Sequence, residues 1–335
     1  MVYVYYSKDK DLSRAGKAVF DELVRAEGLK LNRKLPLKVH FGEKGNSTYI
    51  KPGAYEGIIG SLKGREPFYI ETNVLYRGER TNKKAHIALA KRHGFNLPIV
   101  IADGNTGESF SEIKIDKKHF KTCKIGKEFS DFSQLVVLSH FKGHRLSGFG
   151  GAIKQLAMGF ASRGGKLAQH LDTKPRISWF KCRACGVCKK HCPVAAIKVN
   201  KKAKIDYEKC VGCAVCSSVC PYNAVKLFSF SSLSGIFGTP FYEKLAEYAY
   251  AAQLNKSNIY INYAVNITRG CDCEGRKMKA FAPDIGVLAS TDPVALDNAC
   301  LQLLKIKGYK LKGEHVLKYA ENIGLGSRKY KLIQV

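Results

Sequence analysis

Acidic residues are scarce in this chain. Its 335 residues hold 28 Asp and Glu against 56 Lys and Arg, a formal net charge of +28. Such a field repels cationic partners and favours rapid encounter with anionic ones. A lysine-rich solvated surface is the plain alternative. Long apolar runs are also lacking. No stretch of 18 apolar residues occurs, and MVYVYYSKDK turns charged at once, so neither a membrane span nor a secretory leader is expected. The lysines are spread along the chain instead of gathered in a tail, which argues against a disordered nucleic-acid arm. Helix-turn-helix, zinc-finger and RNA-recognition signatures are missing as well.

What is present in excess is cysteine. Eight of the 12 cysteines fall in two blocks, CRACGVCKKHCPVAAI from Cys182 and CVGCAVCSSVCPYNAV from Cys210, offset by 28 residues. Each block reads C-x2-C-x2-C-x3-C-P, the run of two-cluster bacterial ferredoxins. There the first three cysteines of a block hold one [4Fe–4S] cluster and the fourth ligates the other. The spacing therefore assigns Cys182, Cys185, Cys188 and Cys220 to one cluster, and Cys210, Cys213, Cys216 and Cys192 to the second. Zinc ribbons use paired C-x2-C instead, and disulfide frameworks belong to short secreted chains. Without an export signal, so many cysteines point to a reducing cytosol, hence a cytoplasmic protein, and two clusters of exposed type suggest an organism with little oxygen.

Around this stretch, short apolar strands alternate with helices. Strands are expected at 2–6, 37–42, 68–72, 98–104, 135–141, 258–265 and 285–289. Helices are expected at 12–27, 52–62, 82–93, 151–161, 241–254, 290–305 and 315–322, with Ser290 or Thr291 capping the one before last. The alternation predicts an α/β host domain with a mostly parallel sheet. The cysteine unit needs roughly 55 residues, leaving roughly 280 for the host, ample for a core of its own. It reads as an inserted α+β ferredoxin domain. The first part of the host spans 1–175, the insert 176–229 and the second part 230–335, with boundaries near Pro175 and Phe230.

Ligands of open α/β sheets bind outside the carboxyl ends of the strands. Polar residues collect at those ends here: Lys38, His40, Asn73, Arg77, His140, Lys142, His144 and Arg145. In SHFKGHRLSGFGGAIKQ a strand leads through a turn with Gly150 and Gly151 into a helix, whose first amides suit a phosphate or carboxylate. A tight turn requiring glycine is the simpler account. Cys271 and Cys273 form a C-x-C pair, open to metal binding with His140 or His144, to thiol redox chemistry, or to a structural role. Cys300 sits on an apolar helix face and reads as core.

HFGEKGNSTYIKP, ETNVLYRGER, ADGNTGE, SHFKGH, GFGGAIKQLAMG, the eight cysteines, CDCEG and PDIGVLASTDPVALD together resemble the iron–sulfur branch of the domain-of-unknown-function family 362, over nearly the whole chain. The resemblance implies a ferredoxin module within an α/β host and says little about a reaction.

Three functions compete. The first is an electron-transfer oxidoreductase, ferredoxin-dependent in the sense that an acidic carrier of ferredoxin or flavodoxin type feeds two [4Fe–4S] clusters. A substrate, or a further metal, flavin or anionic ligand, would then sit in the host. His140, His144, Cys271 and Cys273 are its candidate catalytic residues; Lys38, His40, Asn73, Arg77, Lys142, Arg145, Gly150 and Gly151 are its candidate binding residues. The second is a carrier or adaptor docking on a partner enzyme. The third, an iron–sulfur nucleic-acid protein, lacks any recognition motif.

Overall fold

The computed structural model describes residues 1–76, 78–170, 174–227 and 239–335. Strand β1 (Tyr3–Ser7) leads to helix α1 (Leu12–Ala26), capped by the Asp11 carboxylate, which accepts from the amides of Ser13 and Arg14. Its apolar stripe of Ala15, Val19, Phe20 and Leu23 is buried, as a helical period demands. There follow β2 (Lys34–Lys38), α2 (Glu56–Ser61), β3 (Glu66–Glu71), α3 (Lys83–Arg92) and β4 (Ile99–Ile101). A hairpin of β5 (Phe110–Lys114) and β6 (Thr122–Gly126) precedes β7 (Val136–His140). A second hairpin, β8 (Lys142–His144) and β9 (Gly148–Gly150), leads into α4 (Ala152–Phe160) and α5 (Arg163–His170).

A small unit comes next: β10 (Arg176–Ile177), α6 (Val187–Lys190), β11 (Ile197–Val199), β12 (Ala203–Ile205), α7 (Val215–Val219) and β13 (Val225–Lys226). Its first and last strands pair antiparallel, Arg176 against Lys226, so its two ends lie side by side. The expected boundary at Phe230 lies outside the described residues. The chain continues with α8 (Thr239–Gln253), β14 (Ile259–Ala264), β15 (Gly286–Ser290), α9 (Pro293–Ile306), α10 (Glu314–Asn322) and β16 (Lys331–Gln334).

One sheet of eight strands runs through the host in the order β16-β1-β15-β14-β7-β2-β3-β4. Only β15 opposes its neighbours; every other pairing is parallel. The mostly parallel sheet expected from the alternation is therefore present, and strands β7, β14 and β15 are buried along their whole length, as a sheet covered on both faces requires. Successive residues face opposite layers. Val136 and Leu138 join the layer of α1 and α2; Val137 joins that of α4, α8, α9 and α10.

Two local expectations are corrected. Strand β2 ends at Lys38 and does not run to residue 42, because the chain turns away and Gly42 adopts φ +77. Helix α9 is capped by Asp292, whose carboxylate accepts from the amides of Val294 and Ala295, with Pro293 following it. Ser290 lies in β15 and its hydroxyl donates to the Tyr3 carbonyl.

Candidate functional site

The small unit keeps its sequence repeat in its backbone. Ala184 and Gly212, Gly186 and Ala214, and Ala195 and Asn223 are equivalent at the 28-residue offset, and all six have positive φ between 48 and 74. Left-handed alanines are costly, so the surrounding loops must hold them there. The amide of Ala196 donates to Cys192 Sγ and that of Ala224 to Cys220 Sγ, each at 3.2 Å, and the Ala203 amide donates to Cys182 Sγ at 3.4 Å.

These loops sort the eight cysteines into two groups. Cys182, Cys185, Cys188 and Cys220 line one cavity of about 340 Å³, walled otherwise by apolar residues such as Ile177, Ala203 and Val225. Burial pushes the Cys188 thiol up; the Lys189 amide opposes this, and the nearby Cys182, Cys185 and Cys220 add to it. Cys216 is pushed up to about 12, by burial first and then by Cys213, Cys210, Cys188 and Cys192. Thiolates crowded in this way would repel one another unless they shared a cation.

The second group faces the host. Lys124 of β6 donates from Nζ to the Val211 carbonyl at 2.9 Å, and buried Arg163 at the start of α5 feels Cys213 and Cys216. A Cβ on Gly164 would stand 3.1 Å from the Val211 carbonyl oxygen, so this glycine lets α5 approach the loop. Ala214 packs with Leu167 of α5, beside Leu146.

The far end of α5 reaches a larger cavity of about 1140 Å³, at the carboxyl ends of the parallel strands. His40 follows β2, Glu71 ends β3, His140 ends β7, and Lys142 and His144 lie on β8. All line the cavity, with Gly150 and Gly151 from the α4 entry and Cys271 and Cys273 after β14.

Asp272 organises the polar floor. Its Oδ2 accepts from His140 Nδ1 at 2.8 Å and Lys142 Nζ at 2.7 Å, and its Oδ1 from Thr48 at 3.0 Å. Burial alone would raise the carboxyl; His140 and Lys142 hold it well below the usual carboxylate range. His140 also donates from Nε2 to the Val265 carbonyl at 2.8 Å, so neither ring nitrogen remains for a substrate. His40, its pKa lowered by burial and then by Arg80, accepts from the Gly42 amide at 3.1 Å, and Arg80 is ion-paired to Glu43.

His144, Cys271 and Cys273 converge with their ligand atoms within 4.8 Å of one another, close enough to share a metal ion. Lys154 points its ammonium at Cys271 Sγ, 3.5 Å away. Burial opposes the Lys154 charge, yet Cys271 and Cys273 raise its pKa overall.

Other expected residues lie elsewhere. Lys38 is buried below the cavity, paired with Glu71 at 2.7 Å. Asn73 turns to Asp103, donating from Nδ2 at 2.9 Å. Arg145 is exposed and is not among the lining residues, and Arg77 is outside the described residues. The first amides of α4 carry an internal anion: Ala152 and Ile153 donate to Asp297 at 2.8 and 2.9 Å. Cys123 and Cys300 are buried in the core.

Sequence reasoning missed Lys154, Lys166 and His170. Lys154 and Met158 share one face of α4, and Lys166 and His170 one face of α5, at the i, i+4 spacing that could have flagged them. Burial pushes Lys166 down to about 8, Asp103 and Glu71 opposing, and His170 down to about 4.

The family described as Domain of unknown function (DUF362) matches residues 36–302. No curated protein matches the chain. Among solved structures, the lactate racemase apoprotein from Thermoanaerobacterium thermosaccharolyticum is similar at 14% identity and a TM-score of 0.41, covering 78% of this chain and 50% of that one. A protein from Thermotoga maritima is similar at 9% identity and a TM-score of 0.41, covering 93% of this chain and 58% of that one. The chain thus spans between half and three fifths of these structures.

Proposed function

The chain belongs to the DUF362 family, and from that footing we propose that it is an iron–sulfur electron-transfer protein, an oxidoreductase taking electrons from an acidic carrier toward a ligand in the host cavity. The observation that carries this reading is the sorting of eight cysteines into two groups, one of them lining a small, largely apolar cavity. Residues 176–229 are read as a ferredoxin insert. Cys182, Cys185, Cys188 and Cys220 would hold one [4Fe–4S] cluster, and Cys210, Cys213, Cys216 and Cys192 the other. Each such cluster supplies one-electron transfer at a potential set by hydrogen bonds to sulfur and by burial.

The chain's own residues support that role. The amides at Ala196, Ala203 and Ala224 already aim at sulfur. Ile197, Ala203 and Val225 keep water from the cysteines. Arg163 and Lys124 bring positive charge to the second group where it meets the host. The basic surface of the unit, eleven Lys and Arg against Asp206 and Glu208 between residues 176 and 226, suits an acidic donor.

The test is iron and acid-labile sulfide content after anaerobic purification. About eight of each per chain are expected, falling to about four in Cys188→Ser and in Cys216→Ser, each with one spin fewer by electron paramagnetic resonance of the reduced protein. Zinc in place of iron, or an iron content unchanged in both variants, overturns the reading. A carrier without a host reaction is the alternative favoured by the basic surface. It gains if nothing binds the cavity while electron exchange with the carrier persists in cavity variants.

A further inference from the structure

We propose that Cys271 is a nucleophilic thiolate that bonds covalently to an electrophilic organic anion in the host cavity. Four donors converge on its Sγ: Lys154 Nζ at 3.5 Å, the Cys273 amide at 3.4 Å, the Cys273 thiol and the ring of His144. The residue is buried yet lines the cavity, so these donors act with little screening by water. A hydrogen bond from the Cys273 thiol comes first, burial opposes it, and Lys154 and His144 add to it; together they hold the Cys271 thiol well below its ordinary value.

The rival is a metal shared by His144, Cys271 and Cys273, and the ring hydrogens of His144 decide between them. The amides of Leu146 and Ser147 both donate to His144 Nδ1, at 3.3 and 3.0 Å. Nδ1 therefore carries the lone pair, and the neutral ring bears its hydrogen on Nε2. A metal on Nε2 would move that hydrogen to Nδ1, against two N–H groups, where ligating histidines instead find an acceptor. The Lys154 ammonium beside Cys271 would repel the ion as well. The ring as it is held donates to sulfur.

The cavity walls select the ligand. Arg80, Lys142, Lys154 and Lys166 outnumber Glu71 and Asp272, and Leu75, Leu146, Met158 and Phe241 give an apolar side. An anionic group on an organic body fits both. In the step, the Sγ lone pair forms the S–C bond. Where the ligand carries a leaving group, the pair of the broken bond departs with it. Where it carries a carbonyl, the π pair moves to oxygen, and the Lys154 ammonium supplies the proton. The inference does not depend on what the other eight cysteines hold.

The test alkylates the anaerobic, metal-replete protein with iodoacetate or iodoacetamide, iodide leaving, and maps modified cysteines by peptide mass. Cys271 is expected to react about fivefold faster with the anionic reagent, at a rate nearly flat from about pH 6.5 to 8. Lys154→Met should lower the iodoacetate rate about tenfold and restore a rate that climbs with pH, and Lys154→Arg should retain the wild-type profile. A faster reaction with the neutral reagent overturns the proposal. So does a rate still rising about tenfold per unit toward pH 9, or protection of Cys271 by one equivalent of bound metal that a chelator releases. If Lys154→Met does not fold, the reagent comparison in the wild-type protein decides alone.

Discussion

At the scale of single residues, the cavity is built from groups whose protons are already placed. His140 is held at both ring nitrogens, by Asp272 and by the Val265 carbonyl, and Asp272 is balanced by Lys142. His170 stacks on Phe241 with ring centroids 5.2 Å apart and is held neutral by burial, its pKa near 4. The sign of its effect on stability follows. Its folded value lies below the ordinary value near 6.5, so between these pH values the unfolded chain binds the proton more tightly. The stability His170 contributes is whole above about pH 6.5 and is lost as the pH falls toward about 4, by roughly 2–3 kcal/mol. His170→Gln should therefore show a flatter dependence of its urea midpoint over that window. Parallel profiles for the two proteins would refute the assignment.

At the scale of elements, helix α4 has no cap of its own. Gly151 offers no side chain, and a Cβ there would come within 2.3 Å of Asp297 Oδ1. Asp297 of α9 supplies the cap and also accepts from Asn262 Nδ2 at 2.7 Å. Asp297→Ala strands three buried donors and should cost about 2–4 kcal/mol, measured by chemical denaturation; a cost below about 1 kcal/mol would show that water takes the carboxylate's place. This cap was not legible in the sequence, where the glycine-rich entry to α4 reads as a tight turn or as an external anion site. Periodic elements were legible: α1, α4, α8 and the buried strands β7, β14 and β15 lie within a few residues of expectation, because their apolar spacing is dictated by what they face. Helix α5 was not. Its Gly164 and Gly165 lower helix propensity by about 1 kcal/mol each. They are needed where the Val211 and Lys124 carbonyls pass close to the helix, a constraint that only tertiary structure reveals. The repeat of the two cysteine blocks was readable from spacing alone; the cavity lysines were not, since their convergence depends on sheet order.

At the scale of the whole molecule, the excess of positive charge has a local form. Lys198, Lys201 and Lys204 are exposed on one hairpin of the small unit, β11–β12, and Trp179 and Phe180 are exposed nearby in sequence to Cys182. Reduction by a small acidic ferredoxin should therefore slow by about tenfold or more between about 0.05 and 0.5 M salt, while reduction by a small neutral mediator should not. Reversing the charge of Lys198, Lys201 and Lys204 should remove most of that dependence in stopped-flow traces; an unchanged salt slope would place the docking surface elsewhere.

Helix α5 touches the cysteine loop at Gly164 and the cavity at Lys166 and His170. Two sites joined by one short rigid body obey reciprocity: whatever free energy one lends the other is returned in full. A cavity ligand that binds tenfold more tightly to the one-electron-reduced protein must raise its midpoint potential by about 59 mV. Redox titration with and without a bound ligand would thus measure affinity as a voltage, and the cavity would act as the regulator of its own electron supply.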